Sequence, residues 1–195
     1  MLALPAIQNF SFLLAVNINI KAILYTLIIL AAPFILLRLE RKNARKELHL
    51  TKINYGKSLV DGLALFAVIF FVLIVQGLVL QALGLLDNKI VAELIAIQDP
   101  LTLILAFTLG PLGEELLFRG YLLNKLGVIV QGVLFGLFHA AYGSIAEVLA
   151  ALTVGIILGV YMQRRKNIYA CTLAHAFYNL FAIITVLSLK GAGAI

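Results

Sequence analysis

Two adjacent glutamates lie in a stretch of the chain that is otherwise apolar. Glu114 and Glu115 open the sequence EELLFRG, which also contains Arg119. An unpaired carboxylate inside a bilayer is costly, so acidic residues in an apolar span are candidates for a functional role. Glu115 and Arg119 are four residues apart and can pair on a helix, which would leave Glu114 free. The three charges could instead brace the spans, but one arginine cannot neutralise both glutamates.

Two of the three histidines also lie in apolar segments. His139 ends the sequence FGLFH, and His175 opens the sequence HAFYN, which ends at Asn179. Because His175 and Asn179 are four residues apart, they present two hydrogen-bonding side chains on one face of a helix. The structural alternative is a pair of polar contacts between helices, each worth ~1 kcal/mol.

These residue types together are suited to hydrolysis. A carboxylate and an imidazole that share a water can remove its proton as the water attacks a carbonyl group. A second histidine and an amide can donate hydrogen bonds to the oxyanion that forms. Two histidines and a glutamate are also a catalytic zinc ligand set, here Glu114, His139 and His175, so both mechanisms stay open. A thiol nucleophile at Cys171 is the less favoured reading, since a buried cysteine without positive neighbours is inert.

The composition indicates an integral membrane protein. The 195 residues are 63% hydrophobic and 12% charged, whereas about a quarter of a soluble domain is charged. Several nearly uncharged runs approach the ~20 residues that cross a bilayer. The net charge of +6 lies mainly between these runs, which argues against nucleic acid as a partner. One cysteine excludes an internal disulfide.

We therefore predict an all-α, polytopic transmembrane helix bundle with about six spans, forming a single domain over residues 1–195. The apolar residues 1–20 show no signal-peptide pattern and would form a frayed start, an interfacial helix or a further span. Gly110–Pro111 is expected to kink or break the helix just before the glutamates. The predicted spans are 22–37, 58–86, 101–123, 127–142, 144–162 and 168–189.

The loops predict the orientation of these spans. Positive charge collects in three loops that six crossings place on the same side, and this side is then cytoplasmic. The acidic loop 87–99 would face the other side. His49 is expected to be a solvated loop residue. The three positive loops are 38–57, Asn124–Lys125 and 164–166.

The predicted depths of the candidate residues do not fully agree. At ~1.5 Å per residue, Glu114 and His175 would lie roughly 10–14 Å from the cytoplasmic ends of their spans. His139 would lie deeper in a straight fourth span. The fourth helix should therefore be displaced or start later than its hydropathy suggests.

Three motifs in this order resemble those of a known family. An acidic pair followed by arginine (EExxxR), then FxxxH, then HxxxN, all in membrane helices, is similar to the pattern of the CPBP or Abi family. This family contains CAAX prenyl endopeptidases and bacterial proteins linked to bacteriocin processing and self-immunity. The resemblance covers residues 100–185, the predicted catalytic core region.

The resemblance implies an intramembrane endopeptidase of the plasma membrane whose site opens toward the cytoplasm. Glu114 and His139 would activate water, His175 and Asn179 would stabilise the oxyanion, and Glu115 and Arg119 would orient the site. The cofactor would be absent or a divalent metal such as zinc, because the family has been described both as glutamate-dependent and as metal-dependent. The substrate would be a membrane peptide or a lipidated protein C-terminus.

Two other function classes remain open from the sequence. A non-enzymatic immunity factor or scaffold would use the same polar groups to brace the bundle. A proton-coupled transporter would use Glu114 and the histidines as a relay. Transport is less favoured because the chain shows neither a duplicated half nor paired interrupted helices.

Overall fold

The described part of the chain is helical throughout. The structure is a computed structural model that describes residues 4–50 and 54–194, with side chains from Ile20 onward. Every regular element in these ranges is a helix, which confirms the all-α class. A π-helical segment, Leu116–Leu122, follows α6, and a 3-10 turn, His139–Tyr142, follows α7. The α-helices are α1 (Leu4–Leu39), α2 (Ala44–Glu47), α3 (Tyr55–Ala82), α4 (Lys89–Ala96), α5 (Pro100–Phe107), α6 (Leu109–Glu115), α7 (Leu123–Phe138), α8 (Ile145–Arg165) and α9 (Ile168–Gly191).

Helices of membrane-crossing length account for most of the fold. Within the described residues, five stretches are long and apolar enough to cross a bilayer. Large apolar side chains on α3 are exposed, among them Phe71 and Leu78, as expected for a helix in contact with lipid. The five stretches are Ile20–Leu39, Tyr55–Ala82, Pro100–Tyr142, Ile145–Arg165 and Ile168–Gly191.

The longest stretch folds back on itself and so contains two of the predicted spans. Pro100–Tyr142 has 43 residues, about twice the length that crosses a bilayer. Gly127 interrupts it with a φ of 76° and a ψ of 175°. The rings of Phe118 and Phe135, on either side of Gly127, lie 5.0 Å apart, whereas a straight helix would separate them by about 25 Å. The multi-pass bundle of about six spans is therefore confirmed.

The N-terminal apolar segment continues into the first span. The backbone forms one helix, α1, from Leu4 to Leu39, so residues 4–20 are not a separate interfacial helix. Residues 1–3 lie outside the described residues, and so does Lys52 of the predicted basic loop.

The helix that precedes the glutamates is broken, as the sequence predicts, although slightly earlier. α5 ends at Phe107, and Thr108 has the non-helical angles φ −116° and ψ −89°. Proline lacks an amide hydrogen, and its ring clashes with the carbonyl group four residues before it. For Pro111 that carbonyl group belongs to Phe107, which explains a break at this point. α6 then restarts the helix and carries the glutamate pair.

Glycines allow α7 and α8 to pack with their backbones close together. A Cβ atom at Gly155 would lie 2.9 Å from the Cα atom of Gly132. Small residues at such crossings let two backbones approach in a membrane. Gln131 adds a buried hydrogen bond from Nε2 to the carbonyl oxygen of Gly155, at 2.7 Å. This crossing fixes α7, and therefore His139 at its end, against α8.

Candidate active site

Glu115 and Arg119 form a fully buried ion pair where α6 meets the π-helical segment. Arg119 Nη1 donates to Glu115 Oε1 at 2.9 Å, and both side chains are 0% exposed. Arg119 Nη2 also donates to the carbonyl oxygen of Val154 on α8, at 3.4 Å. The guanidinium lies 4.1 Å from the centroid of the Phe135 ring, a favourable cation–π contact. The pair thus links α6, α7 and α8.

His175 joins this pair from α9. Its Nδ1 lies 3.0 Å from Glu115 Oε1, so the ring donates to the carboxylate. This bond fixes the orientation of the imidazole and leaves Nε2 directed at the other glutamate. Nε2 lies 3.9 Å from Glu114 Oε2. Both glutamates therefore face the same histidine.

Glu114 is bonded at one carboxylate oxygen and unpartnered at the other. Tyr25 on α1 donates its hydroxyl hydrogen to Glu114 Oε1 at 2.8 Å. Among the described residues, buried Oε2 has no hydrogen-bond partner. A gap of 3.9 Å between Oε2 and His175 Nε2 can be bridged by one water at about 2.8 Å from each atom. The helix spacing of Glu115 and Arg119 predicted that Glu114 would be free. In the structure it is bonded, because Tyr25 from another span donates to it.

His139 stands at the C-terminal end of α7, where the 3-10 turn begins. Its Nδ1 lies 2.8 Å from the carbonyl oxygen of Phe135, so the ring donates there and its Nε2 is available. The ring is 4.7 Å from the Phe135 centroid, and the His175 ring is 5.8 Å from the same centroid. One phenylalanine thus contacts both histidines.

The turn at Gly127 explains the mismatch in predicted depth. Glu114 precedes Gly127 by almost as many residues as His139 follows it. Because the chain reverses there, the two residues lie at similar distances from the turn. The third span was predicted to end at Leu123, which placed Glu114 too close to the membrane surface.

Asn179 lies one turn after His175 on α9. Its Nδ2 donates to the carbonyl oxygen of Ala106 near the end of α5, at 2.8 Å. This hydrogen bond joins two helices, as expected if Asn179 has a structural rather than a catalytic role. A side-chain amide carries two N–H donors, so one remains for a substrate oxygen.

Two side chains near the site were not predicted from the sequence. Tyr25 lies in an apolar span, where a tyrosine gives no signal of a functional site. Glu147, half-buried in the first turn of α8, interacts electrostatically with His139, His175 and Glu114. Its spacing from Ser144, whose Oγ accepts from the Glu147 amide at 3.1 Å, is typical of a helix start. That local role conceals a third carboxylate beside the histidines.

The predicted metal ligands do not form a binding group in this conformation. Within the described residues, no three His, Cys, Asp or Glu side chains are placed to hold a metal ion. Glu114 and His175 face each other, but His139 does not complete the set. A metal requirement therefore stays a prediction. Cys171 is fully buried and donates its S–H to the carbonyl oxygen of Leu158, which suits a structural side chain.

Asp87, in the loop after α3, holds the start of α8 beside the site. Its carboxylate accepts from Ser144 Oγ at 2.6 Å and from the amides of Ile145 and Ala146 at 2.7 and 3.0 Å. An anion at a helix N-terminus is favourable. The Ser144 bond, followed by the backbone amides, lowers the pKa of Asp87. A loop on the opposite side from the positive loops thus fixes the first turn of α8, which carries Glu147.

His49 differs from its predicted setting. It lies in a turn with a φ of 56° and is half-buried rather than fully solvated. Burial, followed by the positive charge of Lys166, lowers its pKa. His49 lines a separate cavity of about 320 Å³ with Asn124 and Lys166, and this cavity holds none of the predicted site residues.

Comparisons with known proteins support the resemblance that the motifs indicate. Residues 96–181 match the family model described as type II CAAX prenyl endopeptidase Rce1-like. An uncharacterized protein of Mycoplasma capricolum subsp. capricolum is 29% identical over 94 residues, which cover 45% of this chain and 28% of that protein. No solved structure gives a significant match. The matched segment contains all seven residues that define the three motifs, and in this segment the protein is similar to the type II CAAX prenyl endopeptidases.

Proposed function

We propose that the protein is an intramembrane endopeptidase that hydrolyses membrane-associated or lipidated peptides. The observation that carries the proposal is a buried carboxylate oxygen, Glu114 Oε2, without a hydrogen-bond partner and 3.9 Å from His175 Nε2. A buried polar atom without a partner is rare and is explained by a water or ligand that completes the site. The family match suggests a peptidase of the CAAX protease type.

In this mechanism a water bound at Glu114 Oε2 attacks the scissile carbonyl carbon. Glu114 accepts one proton of the water as the C–O bond forms, and His139 Nε2 is the second proton acceptor within the site. When the C–N bond breaks, Glu114 passes its proton to the leaving nitrogen. His139 takes the second proton from the new carboxyl group and passes it to the product amine, so the products are a carboxylate and an ammonium, and both Glu114 and His139 are regenerated.

The oxyanion of the tetrahedral intermediate needs hydrogen-bond donors. Asn179 has one N–H left for this purpose. His175 donates from Nδ1 to Glu115, and we assign its Nε2 to the oxyanion. Preorganised donors of this kind act strongly where water is excluded.

The substrate and location follow from the surroundings of the site. The site lies on helices of membrane-crossing length with exposed apolar surfaces. A lipid-modified C-terminus would partition into the same layer as the site. The distribution of positive loops supports an opening toward the cytoplasm, and a location in the plasma membrane is part of the proposal.

The test is cleavage of a lipidated C-terminal peptide by purified protein in liposomes, compared with the same peptide without lipid. Replacing Glu114 by Ala should lower kcat/KM by at least about 100-fold, because it removes the acid–base group. His139→Gln should lose about 100-fold and His175→Gln only about tenfold, since glutamine donates hydrogen bonds but does not take up the proton.

The control is His49→Ala, which changes a histidine outside the site and should leave kcat/KM unchanged. Full activity in the Glu114 variant would overturn the mechanism. A chelator arm tests the metal prediction, because loss of activity with restoration by zinc would show that a metal takes part.

A second candidate, a non-enzymatic scaffold, is favoured by one observation. Asn179 and Arg119 donate hydrogen bonds to the carbonyl oxygens of neighbouring helices, as expected of side chains that hold the helices together. A scaffold retains its cellular function when Glu114 is replaced by Gln, whereas a peptidase does not.

A further inference from the structure

We propose that Tyr25 is a positioning residue that prepares Glu114 for the reaction, an inference that rests on the proposed function. Tyr25 belongs to α1 and lies outside the segment that matches the family. The first span would then supply part of the active site rather than only anchor the chain.

The hydrogen bond from Tyr25 separates the two oxygens of the Glu114 carboxylate. The Tyr25 hydroxyl donates to Oε1 at 2.8 Å, while Oε2 remains buried and without a partner among the described residues. A carboxylate that is held at one oxygen cannot turn freely about its terminal torsion, which otherwise is broad. Oε2 is therefore kept toward His175 Nε2, where the attacking water would bind.

The position of the Tyr25 hydroxyl is set by a close contact between backbones. A Cβ atom at Gly113 would lie 2.7 Å from Ile29 Cγ2 and 3.1 Å from the amide nitrogen of Leu30. Ile29 stands one turn after Tyr25 on α1, and Gly113 directly precedes Glu114. The contact that brings α1 against α6 thus places the tyrosine and the glutamate together.

The same tyrosine also reaches the other half of the site. Its ring lies 6.0 Å from the ring of Phe138, the residue before His139. Tyr25 therefore contacts both arms of the hairpin that turns at Gly127, one arm carrying Glu114 and the other His139. A side chain in this place can keep the carboxylate in register with the second histidine.

The test is steady-state cleavage by Tyr25→Phe, which keeps the ring and removes only the hydroxyl. We expect kcat to fall about tenfold, equivalent to about 1.4 kcal/mol of transition-state stabilisation. KM should stay within about twofold, because the hydroxyl acts through Glu114 rather than on the substrate.

The matched control is Tyr161→Phe, since Tyr161 donates to the carboxylate of Asp61 at 2.6 Å outside the site. This variant removes the same kind of bond and should keep kcat. Thr26→Ala is a second control, because buried Thr26 lies beside Tyr25 and donates its hydroxyl hydrogen to the carbonyl oxygen of Ala22 within α1. The kcat of Tyr25→Phe should fall below that of Thr26→Ala at an equal loss of thermal stability.

The outcomes separate this inference from the proposed function. Wild-type kcat in Tyr25→Phe, with Glu114→Ala inactive, would overturn the positioning role and leave the peptidase intact. A raised KM at unchanged kcat would also overturn it. Absence of cleavage by the wild-type protein would instead overturn the proposed function. A thermal double-mutant cycle of Tyr25→Phe and Glu114→Gln then shows whether the bond itself contributes to stability.

Discussion

Two polar clusters of this protein contain the same residue types but differ in burial and in hydrogen bonding. At the membrane edge, Glu40 accepts from Tyr121 at 2.5 Å and pairs with Lys125 and Lys42 at 2.5 and 3.0 Å. Both of its oxygens are bonded, and its side chain is 27% exposed. At the site, Tyr25 donates to Glu114 and Arg119 pairs with Glu115, and here the two glutamates and the arginine are buried.

The difference lies in which atoms are left without partners. In the buried cluster, the described residues provide no hydrogen-bond partner for Glu114 Oε2, Glu115 Oε2 or Arg119 Nε. Burying polar atoms without partners lowers the stability of the fold, so their retention points to a role in function. The edge cluster joins α1 to the π-helical segment and to α7, whereas the buried cluster is the one that we propose to be catalytic.

The largest contrast should come from removing one cation from each cluster. Arg119→Met leaves Glu115 buried without its partner, which typically costs about 3–5 kcal/mol. Lys125→Met at the edge removes one of several partners in a solvated setting, where such pairs contribute little. Reversible unfolding in detergent and SDS mixtures measures both variants. Equal losses of stability in the two variants would break the comparison.

Replacing Glu114 and Glu40 by glutamine should have smaller effects on stability, and these effects should differ in sign between the two clusters. Glu114→Gln removes a buried charge with an unpartnered oxygen and should raise the free energy of unfolding by about 1 kcal/mol, while activity is lost. Glu40→Gln weakens a fully bonded carboxylate and should lower the Tm while activity is retained. The cleavage assay and thermal unfolding, run on the same preparations, provide both readouts. A Glu114→Gln variant less stable than wild type would contradict a site held at the expense of stability.

The comparison also shows how far the sequence can predict such a site. Residues that are near in sequence were predictable, since helix geometry alone brings Glu115 to Arg119. Hydropathy located the spans, and the proline located the break before the glutamates. The family resemblance brought Glu114, His139 and His175 into one site, and the structure places His175 between both glutamates.

Contacts that depend on packing between distant helices could not be predicted in this way. Tyr25 is 89 positions from Glu114 in the sequence. Its hydroxyl reaches the carboxylate because Gly113 has no side chain, so that the backbone of α1 can pack against α6. Glu147 approaches the histidines because Asp87 and the α7–α8 glycines fix the start of α8. Neither tyrosine in an apolar helix nor glutamate in a first turn carries a signal that distinguishes these two residues.

The smallest effect should appear in the acid range, where the edge cluster titrates. Its hydrogen bonds from Lys125, then Tyr121 and Lys42, lower the pKa of Glu40 from 4.5 to about 2. A carboxylate whose folded-state pKa is lowered stabilises the fold above its unfolded pKa, and this contribution is lost as the pH falls toward the folded value. The Tm of the wild-type protein should therefore decrease between about pH 4.5 and 2 more steeply than that of Glu40→Gln. Asp87 and Asp99 also have lowered pKa values, but they are present in both proteins, so the difference between the two curves isolates Glu40. Parallel curves would show that the edge cluster contributes nothing to the fold, and the distinction between a structural and a functional cluster would then rest on the buried site alone.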